Sequence, residues 1–96
     1  MKKIAFDVDD TLITINSRGE TVPKYITIYV LQMLHGMIQD VDIIVWSGSG
    51  ADYAKRWTEK LGIDNLCRVV VKGSEEVDIA FDDQEVTLGK VNLQLK

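Results

Sequence analysis

At 96 residues, 46% of them hydrophobic and 27% charged, the chain is long enough for one core and too short for an added substrate-binding module. Its net charge of −4 gives no support to nucleic-acid binding through a broad basic surface, although a local metal or lysine site can still hold a phosphate. The single cysteine, Cys67, excludes an internal disulfide and a thiolate metal cluster, and no apolar run approaches the ~18 residues of a membrane span.

The expectation is one soluble domain over residues 1–96, in a reducing cytoplasm, with no membrane partner. Met1-Lys2-Lys3 has the charge of a signal-peptide start, but Asp7 interrupts the apolar stretch behind it, so no processing is expected. Inside "LCRVVV" Cys67 reads as a small buried hydrophobe.

The first segment, "KIAFDV" at residues 3–8, reads as a buried strand because its apolar run is short and flanked by polar residues. In "TLITINSRGETVP" two β-rich arms, residues 12–15 and 20–22, surround the turn formers Asn16-Ser17-Arg18-Gly19, which predicts a small hairpin over residues 12–22. Pro23 suits the first position of a helix reaching about residue 38, whose core face is predicted at Ile26, Val30, Met33, Leu34 and Met37.

"VDIIVWS", residues 41–47, is a second buried strand, ended by Ser47-Gly48-Ser49-Gly50. A second helix is predicted over residues 51–61, with Tyr53, Ala54, Trp57 and Leu61 inward and Gly62 as its stop. "CRVVV" and "VDIAFD" follow as third and fourth strands, and the alternation at Val91, Leu93 and Leu95 adds a short edge strand. Strand, helix, strand, helix, strand is the pattern of a parallel sheet covered by helices.

In an open parallel sheet ligands bind beyond the carboxyl ends of the strands. Here the first strand ends in Asp7-Val8-Asp9-Asp10-Thr11, the second in Ser47-Gly48, and the fourth in Asp82-Asp83; the third is followed by Lys72. Carboxylates this crowded repel one another, so a cation is expected among them. Asp7 with Asp82 or Asp83 offers hard oxygen ligands of the kind Mg²⁺ takes alongside water and substrate phosphate.

Four motifs in this order resemble the haloacid dehalogenase (HAD) superfamily of phosphotransferases across essentially the whole chain. They are "IAFDVDDTL" for its hydrophobic-DxDx[TV] motif, "DIIVWS" for its strand ending in Ser or Thr, a lysine, and "DIAFDD" for its strand ending in two aspartates. The resemblance implies a Rossmann-like three-layer sandwich with a small, mainly parallel sheet and no cap domain. It also implies Asp7 as nucleophile and metal ligand, and Asp9 as general acid/base whose carbonyl binds Mg²⁺. Ser47, Gly48 and Lys72 are implied to bind phosphate, with Asp82 and Asp83 completing the metal site. Asp10 reads as a loop residue, and His35 as an ordinary helix residue.

Asp9 favours phosphoryl transfer, since superfamily members that displace halide lack this second aspartate. The expected function is a Mg²⁺-dependent phosphatase acting on a small phosphomonoester or nucleotide through an aspartyl phosphate. A polynucleotide-end phosphatase and a non-hydrolytic phosphoryl receiver are the alternatives. Thr11 and Arg18 are candidate substrate contacts, Arg18 equally an ordinary turn residue. A neighbouring subunit in a homo-oligomer is one way to cover a site without a cap.

Lys72 poses a problem of reach. The familiar sheet order sets strand three two places from strand one, with strand four on its other side. The connection then crosses ~14 Å, while residues 72–77 span roughly 17 Å at full extension. Strand three is therefore expected to be short or displaced. Lys24 is the substitute phosphate-binding lysine.

Overall fold

The computed structural model describes residues 1–95. Its elements are β1 (Lys2–Phe6), β2 (Ile13–Ile15), β3 (Thr21–Pro23), α1 (Tyr25–Met37), β4 (Val41–Val45), α2 (Ala51–Lys60), β5 (Arg68–Val69), β6 (Val77–Asp82) and β7 (Gly89–Gln94). Five strands form one sheet in the order β5-β4-β1-β6-β7, and every pairing in it is parallel. β1 is central because its apolar run can be buried on both faces: Ile4, Ala5 and Phe6 are wholly buried. No helix among the described residues is long and apolar enough to cross a membrane.

The two faces of the sheet are covered differently. Ile4, Phe6, Ile43 and Val45 point to one face, where they pack with Ile28 and Leu31 of α1 and Ala54 of α2. Phe6 and Phe81 stack there with ring centroids 4.6 Å apart. Ala5, Ile44, Trp46 and Ala80 point to the other face and pack with Val70 and Leu88, which lie in loops. The expected third layer is therefore absent among the described residues, and the architecture is an α/β fold of two layers. The connections after β5 and β6 are too short to carry a helix across that second face.

The hairpin forms where the turn formers predict it, with Ile13, Thr14 and Ile15 opposite Pro23, Val22 and Thr21. Pro23 closes β3 and does not open the helix. The two-stranded ladder has a free edge where a missing N–H costs nothing, and Lys24 N–H extends the pairing to the Leu12 carbonyl at 2.8 Å.

The predicted core face of α1 is only half right. Val30 and Leu34 pack against the core, but the buried residues are Thr27, Ile28 and Leu31, and Ile26, Met33 and Met37 face outward. Two apolar stripes run along this helix, and hydrophobic spacing alone does not say which one the sheet takes. The inward face of α2 is as predicted: Ala54 is buried, with Tyr53, Trp57 and Leu61 packed beside it. Gly62 adopts φ 72°, the left-handed geometry of a helix stop.

β5 is as short as the reach argument requires, pairing only Arg68 and Val69 with β4. The following segment turns back immediately and is tied down by Arg68, whose guanidinium bonds both Asp42 of β4 and Glu75 of the segment itself. Lys3 of β1 adds a 3.1 Å bond to Glu75. These cations hold the Glu75 carboxyl down at about 2. Cys67 is partly buried against the core, and burial pushes its thiol up to about 11.

Candidate active site

The parallel register sets the ends of β1, β4 and β6 level. Phe6 pairs with Val45 on one side and Phe81 on the other, so Asp7, Ser47 and Asp82 all emerge just beyond that line. Asp7 N–H donates to the Phe81 carbonyl at 3.0 Å and Trp46 N–H to the Phe6 carbonyl at 3.1 Å. Backbone pairing thus continues to the point where the functional side chains begin.

Past Asp7 the chain leaves the sheet in a tight turn. The N–H groups of Thr11, Leu12 and Ile13 all donate to the Val8 carbonyl, at 2.9 to 3.2 Å. Asp10 takes φ 59° within this turn, a left-handed conformation that aspartate tolerates better than most residues. Its carboxylate accepts from Thr14 Oγ1 at 3.1 Å and its carbonyl from Lys24 Nζ at 3.0 Å. Asp10 therefore builds the loop, and Lys24 is committed to it.

Asp7 and Asp82 are both buried, and Lys72 reaches them from the loop-covered face. Its ammonium lies 3.2 Å from Asp7 Oδ1 and 2.8 Å from Asp82 Oδ2. Asp82 Oδ1 accepts from Gln84 N–H at 3.0 Å. Oδ2 is fully buried and has no aligned hydrogen-bond donor among the described residues, only the charge of Lys72. Asp83 joins them: one oxygen each from Asp7, Asp82 and Asp83 lie within 4.8 Å of one another.

One ammonium faces three carboxyls, and the ionisation equilibria register the imbalance. Burial, then repulsion from Asp82, raises the Asp7 carboxyl from 3.8 to about 6 despite the neighbouring lysine. Burial and Asp82 likewise raise Asp83. Burial disfavours the Lys72 ammonium, but its bonds to Asp82 and Asp7 outweigh that and lift its pKa above the ordinary value. Three carboxyls sharing one cation suit a further divalent cation bound by oxygen.

Asp9 lies on the boundary between two cavities. One, about 270 Å³, is the acidic cleft, lined by Asp7, Lys72 and Asp82 and floored by Gly48 and Ser49. The other, about 300 Å³, lies between the hairpin and α2, lined by Ile13, Thr14, Ile15, Thr21 and Tyr53. Asp9 and Asp10 line both. Tyr53 Oη donates to Asp9 Oδ1 at 2.6 Å, and this bond raises the phenol's own pKa.

Ser47 is buried, with its Oγ accepting from Ser49 N–H at 3.0 Å. This bond folds the Ser-Gly-Ser-Gly turn under the start of α2, where Gly50 at the cap position has φ 105° and no side chain caps the helix. The first N–H groups of α2 begin at the same sheet edge, a setting favourable to an anion.

The structure thus brings together Asp7, Asp9, Gly48, Lys72, Asp82 and Asp83, with Ser47 directly beneath. Thr11 is buried with its hydroxyl unpartnered among the described residues, and Arg18 sits exposed at the hairpin tip. Neither lines the two cavities. Tyr53 is the site residue that sequence reading assigned only to the core. Its signal was its place in the first turn of the helix that starts beyond Gly50, which carries it to the sheet edge.

Comparison of the chain with protein-family models, with curated proteins and with solved structures gives no match.

Proposed function

We propose that the protein is a Mg²⁺-dependent phosphatase of the HAD type, hydrolysing a small phosphomonoester through an aspartyl phosphate on Asp7. The observation that carries this reading is Asp7, a buried carboxylate paired to Lys72, beside a second carboxylate, Asp9, at the junction of two cavities.

In this reading the phosphoryl group occupies the acidic cleft and the rest of the substrate the pocket under the hairpin. An Asp7 oxygen attacks phosphorus and the ester P–O bond breaks. The proton that the leaving oxygen needs comes from Asp9, which stands where the two parts of the substrate join. Asp9, now a carboxylate, takes a proton from water as that water attacks the phosphorus of the acyl phosphate. Inorganic phosphate leaves and Asp7 is regenerated. Lys72 keeps Asp7 turned into the cleft, and the backbone N–H groups beyond Ser47 face the phosphoryl oxygens.

Asp7, Asp82 and Asp83 would hold the magnesium ion; their oxygens lie within 4.8 Å of one another and share the single ammonium of Lys72, which fits a further cation there. Bound there, it would offset the carboxylate charge and polarise the phosphoryl group.

The pocket under the hairpin favours a small substrate over a polynucleotide end. Its carboxylates are Asp9 and Asp10, and no lysine or arginine among the described residues lines it, so a second phosphodiester charge would meet repulsion there. The test is a screen of sugar phosphates, nucleotides and 3′-phosphorylated oligonucleotides with and without Mg²⁺. Magnesium-dependent release of phosphate from small esters, lost in Asp7→Asn, is expected. Equal release by Asp7→Asn would overturn the reading.

A further inference from the structure

Helix α1 presents an apolar face that nothing among the described residues covers. Tyr25, Ile26, Tyr29, Met33 and Met37 are 61, 81, 61, 53 and 76% exposed. At 100° per residue they fall in one stripe opposite the buried Thr27, Ile28 and Leu31. No Asp, Glu, Lys or Arg occurs in the 13 residues of this helix, although 27% of the chain is charged. Five large side chains, each more than half exposed, make a contiguous patch on the order of several hundred Å², the scale of the largest apolar patch on an ordinary monomer and approaching the ~800 Å² each partner gives to a standard interface.

Gly36 lies in the same stripe, and a Cβ built on it would meet nothing within 4 Å. A glycine inside a helix costs about 1 kcal/mol relative to alanine, and no contact among the described residues calls for it here. The opening it leaves has room for a bulky side chain of a partner.

We infer that α1 is the interface of a symmetric homodimer, packed antiparallel against α1 of a second copy. Three features select a second copy as the occupant. A two-fold interface sets a surface against itself, so on a molecule of net charge −4 an uncharged stripe is where two copies meet without like-charge repulsion. The area approaches what a stable dimer needs. The order of side chains is also self-complementary: in an antiparallel pair centred at the level of residue 31, Tyr29 meets Met33 and Ile26 meets Gly36 across the seam. An aromatic ring then meets a thioether, and the largest aliphatic overhang meets the one position with no side chain. Antiparallel alignment also sets each helix's positive end beside the partner's negative end.

The interface lies on the outer side of the helix layer, away from the acidic cleft, so the inference stands independently of the proposed chemistry. The test is sedimentation equilibrium of the full chain across micromolar concentrations. The mass expected is twice the monomer's 10.8 kDa. Met33→Glu buries a charge against the partner's tyrosine and is expected to weaken dimerisation on the order of a hundredfold, with helical circular dichroism unchanged because Met33 is exposed in the monomer. Adding Tyr29→Lys to Met33→Glu, positions that face each other across the two-fold, is expected to restore much of the affinity. A monomeric wild type, a dimer indifferent to Met33→Glu, or binding of the monomer to phosphatidylcholine–phosphatidylglycerol vesicles through this face would each overturn the inference.

Discussion

Tyr53 donates a 2.6 Å hydrogen bond to Asp9 Oδ1, tying the first turn of α2 to the loop after β1. In the proposed mechanism this bond aims the Asp9 carboxyl at the ester oxygen. It has a kinetic signature. Tyr53→Phe is expected to lower kcat/KM roughly tenfold for alkyl phosphates, whose leaving oxygen needs a proton. Hydrolysis of an activated aryl phosphate, whose leaving group needs little help, should change far less. Equal loss on both esters would show that Tyr53 serves only the packing of α2.

Asp9 itself is exposed, so replacing it should leave the fold intact. Asp9→Asn is expected to lose roughly 10²- to 10⁴-fold in turnover, the usual worth of general acid–base catalysis. Magnesium affinity, measured by calorimetry, should stay close to wild type, because Asp9 lies outside the carboxyl trio of Asp7, Asp82 and Asp83.

Much of this arrangement is legible in the chain, and the reasons it is legible differ by element. β6 falls on the predicted residues 77–82 because "VDIAFD" is bounded by polar neighbours on both sides. The shortness of β5 follows from chain reach alone, and it is what lets Lys72 arrive beside Asp7. The inward face of α1 was only half legible: of the predicted Ile26, Val30, Met33, Leu34 and Met37, Val30 and Leu34 pack on the core, but Thr27, Ile28 and Leu31 lie beside them at equally helical spacing. Tertiary docking decides between them. The bond between Tyr53 and Asp9 was also out of reach, because 44 residues separate them and only the folded sheet edge makes them neighbours.

The carboxyl of Asp7 makes the metal-free fold sensitive to pH. Its folded-state pKa of about 6 exceeds the ordinary 3.8, so the native state binds this proton more tightly than the unfolded chain does. Stability contributed by the protonated group is full below pH 3.8 and is lost as pH rises through about 6. Asp7→Asn cannot ionise and should escape that loss. Urea unfolding in chelator is expected to show Asp7→Asn gaining on wild type by about 2 kcal/mol between pH 4 and pH 8. A constant difference across that range would contradict the ionisation assigned to Asp7.

Glu75 tests how Lys72 is held in place. The segment between β5 and β6 is anchored by Glu75 through Arg68 and Lys3, and Lys72 lies three residues before it. Glu75→Gln removes the charge from both pairs. KM for a phosphomonoester is expected to rise several-fold while kcat moves little, and the effect should shrink at high salt, where the wild-type pairs are already screened. Unchanged KM at low salt would mean that Lys72 is positioned by its own carboxylates.

The most direct test of the account asks whether Asp7 carries the phosphoryl group. Asp9→Asn, which lacks the base for the hydrolysis step, is mixed with magnesium and an activated aryl phosphate, whose leaving group needs little proton help, so that the intermediate forms faster than it is hydrolysed. It is then quenched, treated with borohydride and mapped by mass spectrometry. Reduction of an acyl phosphate at residue 7 leaves homoserine at that position. Homoserine at position 7, dependent on substrate and magnesium, is the result predicted. Phosphate release with residue 7 recovered as unmodified aspartate at every quench time would contradict the account.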